Sequence, residues 1–172
     1  VSPPDDTAVR VFALCAAALF GANVGSFLNV VAHRLPLGLS VVRPRSRCPG
    51  CLTPIRATDN VPVLSWVLLG GRCRGCKGRI SVRYAAVELL TALLSVHVVF
   101  ALVLLPDRVA DGAAWAHAGV AFALVAGMLA ASLIDLDHRI LPDEITIPGM
   151  WIAPVAAAFV PALVLGTDLE PL

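Results

Sequence analysis

Apolar residues run along this chain in four long blocks, broken by polar or charged interruptions. The blocks extend from about Val11 to Ala32, Ala85 to Leu105, Ala113 to Ile134 and Ile145 to Gly166. Each is about the 20 helical residues needed to cross a hydrocarbon core of roughly 30 Å. The pattern predicts an all-α integral membrane fold of about four transmembrane helices. The interruption from His33 to Tyr84 is long enough to form a small domain of its own. The expected division is therefore residues 1–32 (tail and first helix), 33–84 (loop domain) and 85–172 (helices two to four).

Two blocks carry internal marks. In the first, Gly21 and Gly25 are four residues apart, which leaves one helix face flat for close contact. Asn23 and Asn29 are costly in lipid, so they should turn to the bundle or the cytoplasmic interface. The expected role is packing, with substrate contact the alternative. In the fourth, Pro148, Pro154 and Pro161 predict bends, because neighbours in a membrane bundle can satisfy the freed carbonyls. The first block follows no Lys/Arg-rich stretch and has no clear small-residue cleavage site after it. It is read as a retained span, not a signal peptide.

Composition supports the membrane reading. The chain is 58% hydrophobic with a mean hydropathy of +0.84, against about 45–50% apolar residues in a soluble domain. The net charge of +1 hides an asymmetry: ten of the 13 Lys and Arg lie from Arg34 to Arg83, with Asp59 the one acid among them. Basic loops stay on the cytoplasmic side of a membrane, so the charge is explained without nucleic acid. The N-terminus, the turn Pro106–Gly112 and the acidic tail Thr167–Leu172 are then expected outside. The loop Asp135–Glu144 returns to the cytoplasm.

The basic loop also holds Cys48-Pro-Gly-Cys51 and Cys73-Arg-Gly-Cys76, separated by 21 residues. Two Cys-x-x-Cys pairs in a reducing compartment read as a closed, tetrahedral, structural zinc site formed by Cys48, Cys51, Cys73 and Cys76. Free thiols or a transient disulfide are the alternative. Gly50 and Gly75, each before a second cysteine, are expected to supply relaxed backbone angles. A loop of this size has too little core to fold alone, so the metal would act as a staple. Cys15, in the first block, is expected to be a small buried side chain.

The third block ends Ser132-Leu-Ile-Asp135-Leu-Asp137-His138 and continues to Pro142-Asp143-Glu144. An ionisable residue at a span end is either interfacial punctuation or a site. Asp135 is the deepest of these; partial burial would raise its pKa towards that of a general acid or base. Asp137 and His138 are expected to be solvated, Asp143 to N-cap the next helix, and Glu88 to lie at the interface or pair with Arg83. His97 and His117 are read as packing or interface residues, and Trp66, Trp115 and Trp151 as anchors. A membrane-edge aspartate suits aspartic proteolysis, in which two carboxylates share a proton and activate water.

These segments together resemble the type IV prepilin peptidases, bifunctional leader peptidase/N-methyltransferases of bacteria. The resemblance rests on Gly25-Ser-Phe-Leu-Asn-Val-Val31 with His33-Arg-Leu-Pro36, on the two cysteine pairs, and on Asp59-Asn-Val-Pro-Val-Leu-Ser-Trp66 with Gly70-Gly-Arg-Cys73. It extends to Arg83-Tyr84, Val87-Glu-Leu89 and Ser132–Asp143, all in family order. It implies a multi-pass protein of the bacterial inner membrane that cuts the leader of prepilins or pseudopilins at the cytoplasmic face. It also implies methylation of the new N-terminus with S-adenosylmethionine. Asp135 would be one catalytic aspartate, and Gly71 corresponds to a glycine implicated in methylation.

The family's second aspartate lies in a Gly-x-Gly-Asp motif on a later loop, and these 172 residues hold no such motif. The expectation is a front portion of the enzyme that does not cleave alone and needs a C-terminal half carrying the second Asp. Asp137, two residues from Asp135, points elsewhere on a helix, and Asp143 matches another family position. Two other readings stay open on the sequence: a non-catalytic membrane zinc module that binds prepilins or assembly partners, and a methyltransferase-only remnant.

Overall fold

The structure is a computed structural model that describes residues 6–159. Helix α1 spans Asp6–Arg34 and ends in a 3₁₀ turn, Leu35–Leu37. The loop domain follows, with a second 3₁₀ turn at Ala57–Asp59 and a short helix α2, Leu64–Leu68. Helix α3, Val82–Val99, runs on through a π-helical turn, Phe100–Leu104. Helices α4, Gly112–His138, and α5, Asp143–Phe159, complete the described chain.

Three of these helices, Asp6–Leu37, Val82–Leu104 and Gly112–His138, are long and apolar enough to cross a membrane. Each begins before the expected block, and the first and third also run past its end, taking in Arg10, Arg34, Arg83 and Asp135. Helix α5 covers the first part of the expected fourth span and continues through Pro148 and Pro154. The rest of that span, Pro161 and the tail Thr167–Leu172 lie outside the described residues.

Small residues determine how the bundle closes. A Cβ on Gly21 would lie 2.6 Å from Ser95 Cβ and 2.7 Å from the Thr91 carbonyl oxygen. One on Gly25 would lie 2.7 Å from the Cα of Glu88. Helices α1 and α3 therefore touch backbone to backbone, as the glycine spacing predicts. Buried Thr91 turns its hydroxyl to its own helix, donating to the Val87 carbonyl at 2.7 Å. Asn29, also buried, donates to the Tyr84 carbonyl at 3.1 Å and ties the two helices where α3 begins. That bears out packing for Asn29. Asn23 instead bonds the Leu19 carbonyl of its own helix.

Helix α4 packs alanines, Ala114, Ala118, Ala126 and Ala130, against this pair. Phe122 meets Phe20 with ring centroids 5.6 Å apart. Cys15 is exposed on α1 rather than buried, on a surface that lipid or a further helix would cover.

Each end of the bundle has an ionic tie. At one end Arg10 pairs with Asp107 and donates to the Leu104 carbonyl, which also accepts the Asp107 N–H where the π-turn ends. At the other, Arg83 at the start of α3 meets Asp137 at the end of α4 at 2.6 Å. Arg83 also donates to the Leu133 carbonyl. The chain alternates direction, so the loop domain and the Asp135 end of α4 share the Arg83–Asp137 end.

Candidate active site and metal centre

The loop domain has almost no apolar core. From His33 to Tyr84 the buried residues are Cys48, Ser65 and Gly71. Its order comes from two matching knuckles. In the first, Cys48 N–H donates to the Thr53 carbonyl and the Leu52 N–H returns to the Cys48 carbonyl. In the second, Cys73 N–H donates to Gly78 and the Lys77 N–H returns to Cys73. A single antiparallel bridge flanks each, Arg47 with Pro54 and Arg72 with Arg79.

The left-handed residue of each knuckle is Leu52 (φ 57°) or Lys77 (φ 58°), one position after the second cysteine. Gly50 and Gly75 do not supply it, contrary to the sequence expectation. A Cβ at either would meet sulfur at 3.7–3.9 Å, an ordinary contact.

The knuckles bring Cys48, Cys51, Cys73 and Cys76 together with all ligand atoms within 4.8 Å of one another. The Sγ atoms of Cys48 and Cys76 are 3.8 Å apart, and those of Cys51 and Cys73 4.0 Å. A tetrahedral ion with metal–sulfur bonds of about 2.3 Å needs sulfur–sulfur edges of about 3.8 Å. The residues thus fit a metal ion.

Their acidities differ. The Thr53 hydroxyl and backbone lower Cys51 to about 6, and the Cys76 and Gly75 amides lower Cys73. Cys76 accepts from the Gly78 amide, yet the neighbouring Cys51 and Cys48 sulfurs push it up to about 11. A cation among the four removes that conflict by stabilising every thiolate. Nearby, Asp59 grips Arg74 with both oxygens, at 2.7–3.0 Å. This contact holds the Asp59 carboxyl below its usual range and fastens the Ala57–Asp59 turn to the second knuckle.

Trp66 on α2 donates its indole N–H to the Ile80 carbonyl at 3.1 Å, making it the expected loop anchor. Gly71 sits buried behind the ring with φ 64°, and a Cβ there would lie 2.9 Å from it. The position therefore requires glycine twice, for its backbone angle and for the space. For Glu88, the expected pairing with Arg83 is not formed. Its carboxylate accepts the Val63 N–H at 2.7 Å, and Arg83 is paired elsewhere. Val63 is β-branched and has φ 61°, a costly conformation that Glu88 helps to hold. The clue in the sequence was an acid one turn inside an apolar helix.

At the end of α4, Asp135 lies inside the helix and is exposed, not partly buried. Among the described residues its carboxylate has no ion-pair partner. Asp137, expected to be solvated, takes the pairing with Arg83. The helix stops at Arg139, left-handed at φ 56°, whose N–H bonds the Asp135 carbonyl. Asp143 is the first residue of α5 and enriches its first turn in negative charge, while the Pro142 carbonyl accepts the first bonds. The expected N-cap is thus displaced by one residue.

Known families match the sequence of these segments in chain order. Residues 19–102 match the family model described as Bacterial Peptidase A24 N-terminal domain, and residues 122–169 match the Type IV leader peptidase family. A Prepilin leader peptidase/N-methyltransferase of Stutzerimonas stutzeri is 39% identical over 171 residues, taking in 86% of this chain and 55% of the relative. One from Pseudomonas aeruginosa is 41% identical, with the same coverage of 86% and 55%. One from Myxococcus xanthus is 48% identical over 142 residues, 82% of this chain and 39% of the relative. The chain spans about half the length of the first of these relatives. No solved structure matches it. Two family models in series and relatives sharing 39% to 48% of aligned residues lead to one conclusion: the chain belongs to the type IV leader peptidase family.

Proposed function

We propose that this chain is the front portion of a bacterial inner-membrane prepilin peptidase and N-methyltransferase. Its loop domain and Asp135 lie on the cytoplasmic side, and prepilins or pseudopilins are its substrates. The observation that carries the reading is the shared end of the bundle. The Arg83–Asp137 pair fastens the end of α4 to the start of α3, directly beneath the loop domain in sequence. A leader emerging from the membrane there would meet Asp135 and the basic loop together.

In this reading Asp135 is one of two carboxylates that activate water against the scissile peptide carbonyl. One member of such a pair, ionised, takes a proton from the water while the other, protonated, hydrogen-bonds the carbonyl oxygen. Asp135 is exposed, as a group must be to receive a second carboxylate and a peptide. Cys48, Cys51, Cys73 and Cys76 hold zinc as a structural ion: four thiolate ligands leave no open position for catalysis. S-adenosylmethionine would supply an activated methyl group for the amine that cleavage releases. The loop domain, with Gly71, supports that second step.

The test is leader cleavage in detergent or vesicles. The 172-residue chain alone should leave a prepilin uncut. Co-expression with a C-terminal half carrying Gly-x-Gly-Asp should restore cleavage, and Asp135→Asn should abolish it by a factor of about 10³ or more. Cleavage by the chain alone that survives Asp135→Asn would refute the assignment.

A further inference from the structure

Helix α2 is short, and its two faces differ. Ser65 and Trp66 turn into the loop domain. The Ser65 hydroxyl donates to the Thr58 carbonyl and accepts the Val61 N–H, and Trp66 bonds the Ile80 carbonyl. Leu64, Val67 and Leu68 stand at i, i+3 and i+4 on the other face and are 59%, 60% and 83% exposed. A single exposed apolar residue is ordinary, but three on one helix face form a patch that marks a contact. Composition sets the stretch apart as well. The loop domain is basic throughout, yet no Lys or Arg lies between Arg56 and Arg72.

What covers the patch follows from where α2 is held. Val63, immediately before α2, donates its N–H to Glu88 Oε2 at 2.7 Å. Glu88 belongs to the span Val82–Leu104, whose 23 residues rise about 34 Å, against a hydrocarbon core of roughly 30 Å. With that span centred, the Glu88 backbone lies about 7 Å below the hydrocarbon boundary. Its carboxylate reaches back towards water and meets the Val63 amide close to that boundary. Beyond it the headgroup layer is about 5–8 Å deep, so α2 begins within this layer.

We propose that the apolar face of α2 is inserted in the lipid interface, among the glycerol groups and upper acyl chains. The loop domain is then seated on the bilayer instead of standing clear of it. Glu88 sets the depth, and Leu64, Val67 and Leu68 find the apolar surroundings that water denies them. Insertion of this kind needs no anionic headgroup. Because the placement rests on the membrane spans and on neither catalytic step, failure of leader cleavage leaves it standing.

The test uses the 172-residue chain in phosphatidylcholine nanodiscs, with Trp115→Phe and Trp151→Phe. Leu68→Trp adds a reporter to the apolar face. Leu52→Trp, at another exposed leucine, adds one to the first knuckle. The Trp66 signal common to both is subtracted with the parent background. Phosphatidylcholine brominated along its acyl chains should remove most of the emission added by Leu68→Trp and spare that added by Leu52→Trp. Iodide in the water should do the reverse. Metal content, measured on each variant, checks that the knuckles are intact.

Quenching of the Leu68→Trp reporter by iodide, with bromine without effect, would put α2 in water and overturn the inference. The measurement is then repeated with a co-expressed C-terminal half carrying Gly-x-Gly-Asp. Bromine quenching that persists supports lipid as the occupant. A reporter shielded from both quenchers would give the face to a protein helix and overturn it.

Discussion

The α1–α3 seam and the four-cysteine domain adjoin each other and achieve order by opposite means. In the seam, Gly21 and Gly25 let two backbones meet, and buried Thr91 and Ser95 fill the contact without exposing a polar group to lipid. Order there comes from many small van der Waals contacts between continuous surfaces. In the loop domain the buried residues are Cys48, Ser65 and Gly71, while Leu64, Val67 and Leu68 are exposed. Its order comes from a few strong points, four sulfurs and a handful of hydrogen bonds. A membrane segment can rely on a flat face because the bilayer already imposes the helix. A polar loop outside the bilayer needs cross-links.

The largest break in this comparison is removal of two sulfurs. Cys48→Ser with Cys73→Ser should eliminate bound metal, and with it a binding free energy of roughly 10–16 kcal/mol for a structural zinc site. Hydrogen exchange should then rise throughout the loop domain while α1 and α3 remain protected. Metal retained in that variant, or helices exchanging together with the loop, would show that the two regions do not order independently.

The reverse experiment is smaller. Gly21→Val inserts atoms where even a lone Cβ would lie 2.6 Å from Ser95 Cβ. It should destabilise the bundle by about 1–3 kcal/mol, measured by thermal unfolding in detergent, with metal content unchanged. A neutral result would mean that the helices do not approach this closely.

The smallest effect lies inside the loop domain. Arg74 lowers the Asp59 pKa, so the folded state binds that proton less tightly than the unfolded chain. The pair's contribution is fully present above the unfolded value of about 3.9 and fades as pH falls through the lower folded one. The stability difference between the parent chain and Asp59→Asn should be constant near neutrality and shrink below about pH 4. A difference that grows on acidification would contradict the ion pair.

Much of the molecule was legible in the chain because the signals were local. Helix-length apolar blocks, a Gly-x-x-x-Gly face and Cys-x-x-Cys pairs each report a geometry fixed within a few residues. Side-chain partnerships were harder to read. Arg83 had two acids within reach of argument, Glu88 and Asp137, and nothing in the sequence ranked a contact one turn away against one 54 positions away. The knuckle glycines misled for a related reason. Their place before the second cysteine was visible, but which residue turned left-handed was decided by the hydrogen bonds of the whole knuckle.

The sequence by itself determined that the chain is membrane-embedded and helical, that four cysteines converge, and which family's motifs it carries. The first two follow from composition, period and spacing and the last from resemblance of its motifs, none of which depends on long-range packing. Tertiary structure alone decided that Gly71 stands behind Trp66, that Glu88 secures Val63, and that Arg83 holds the end of α4. The Glu88–Val63 and Arg83–Asp137 meetings join residues distant along the chain, Gly71 meets Trp66 through the fold of the loop between them, and no local pattern encodes which partner a side chain will face.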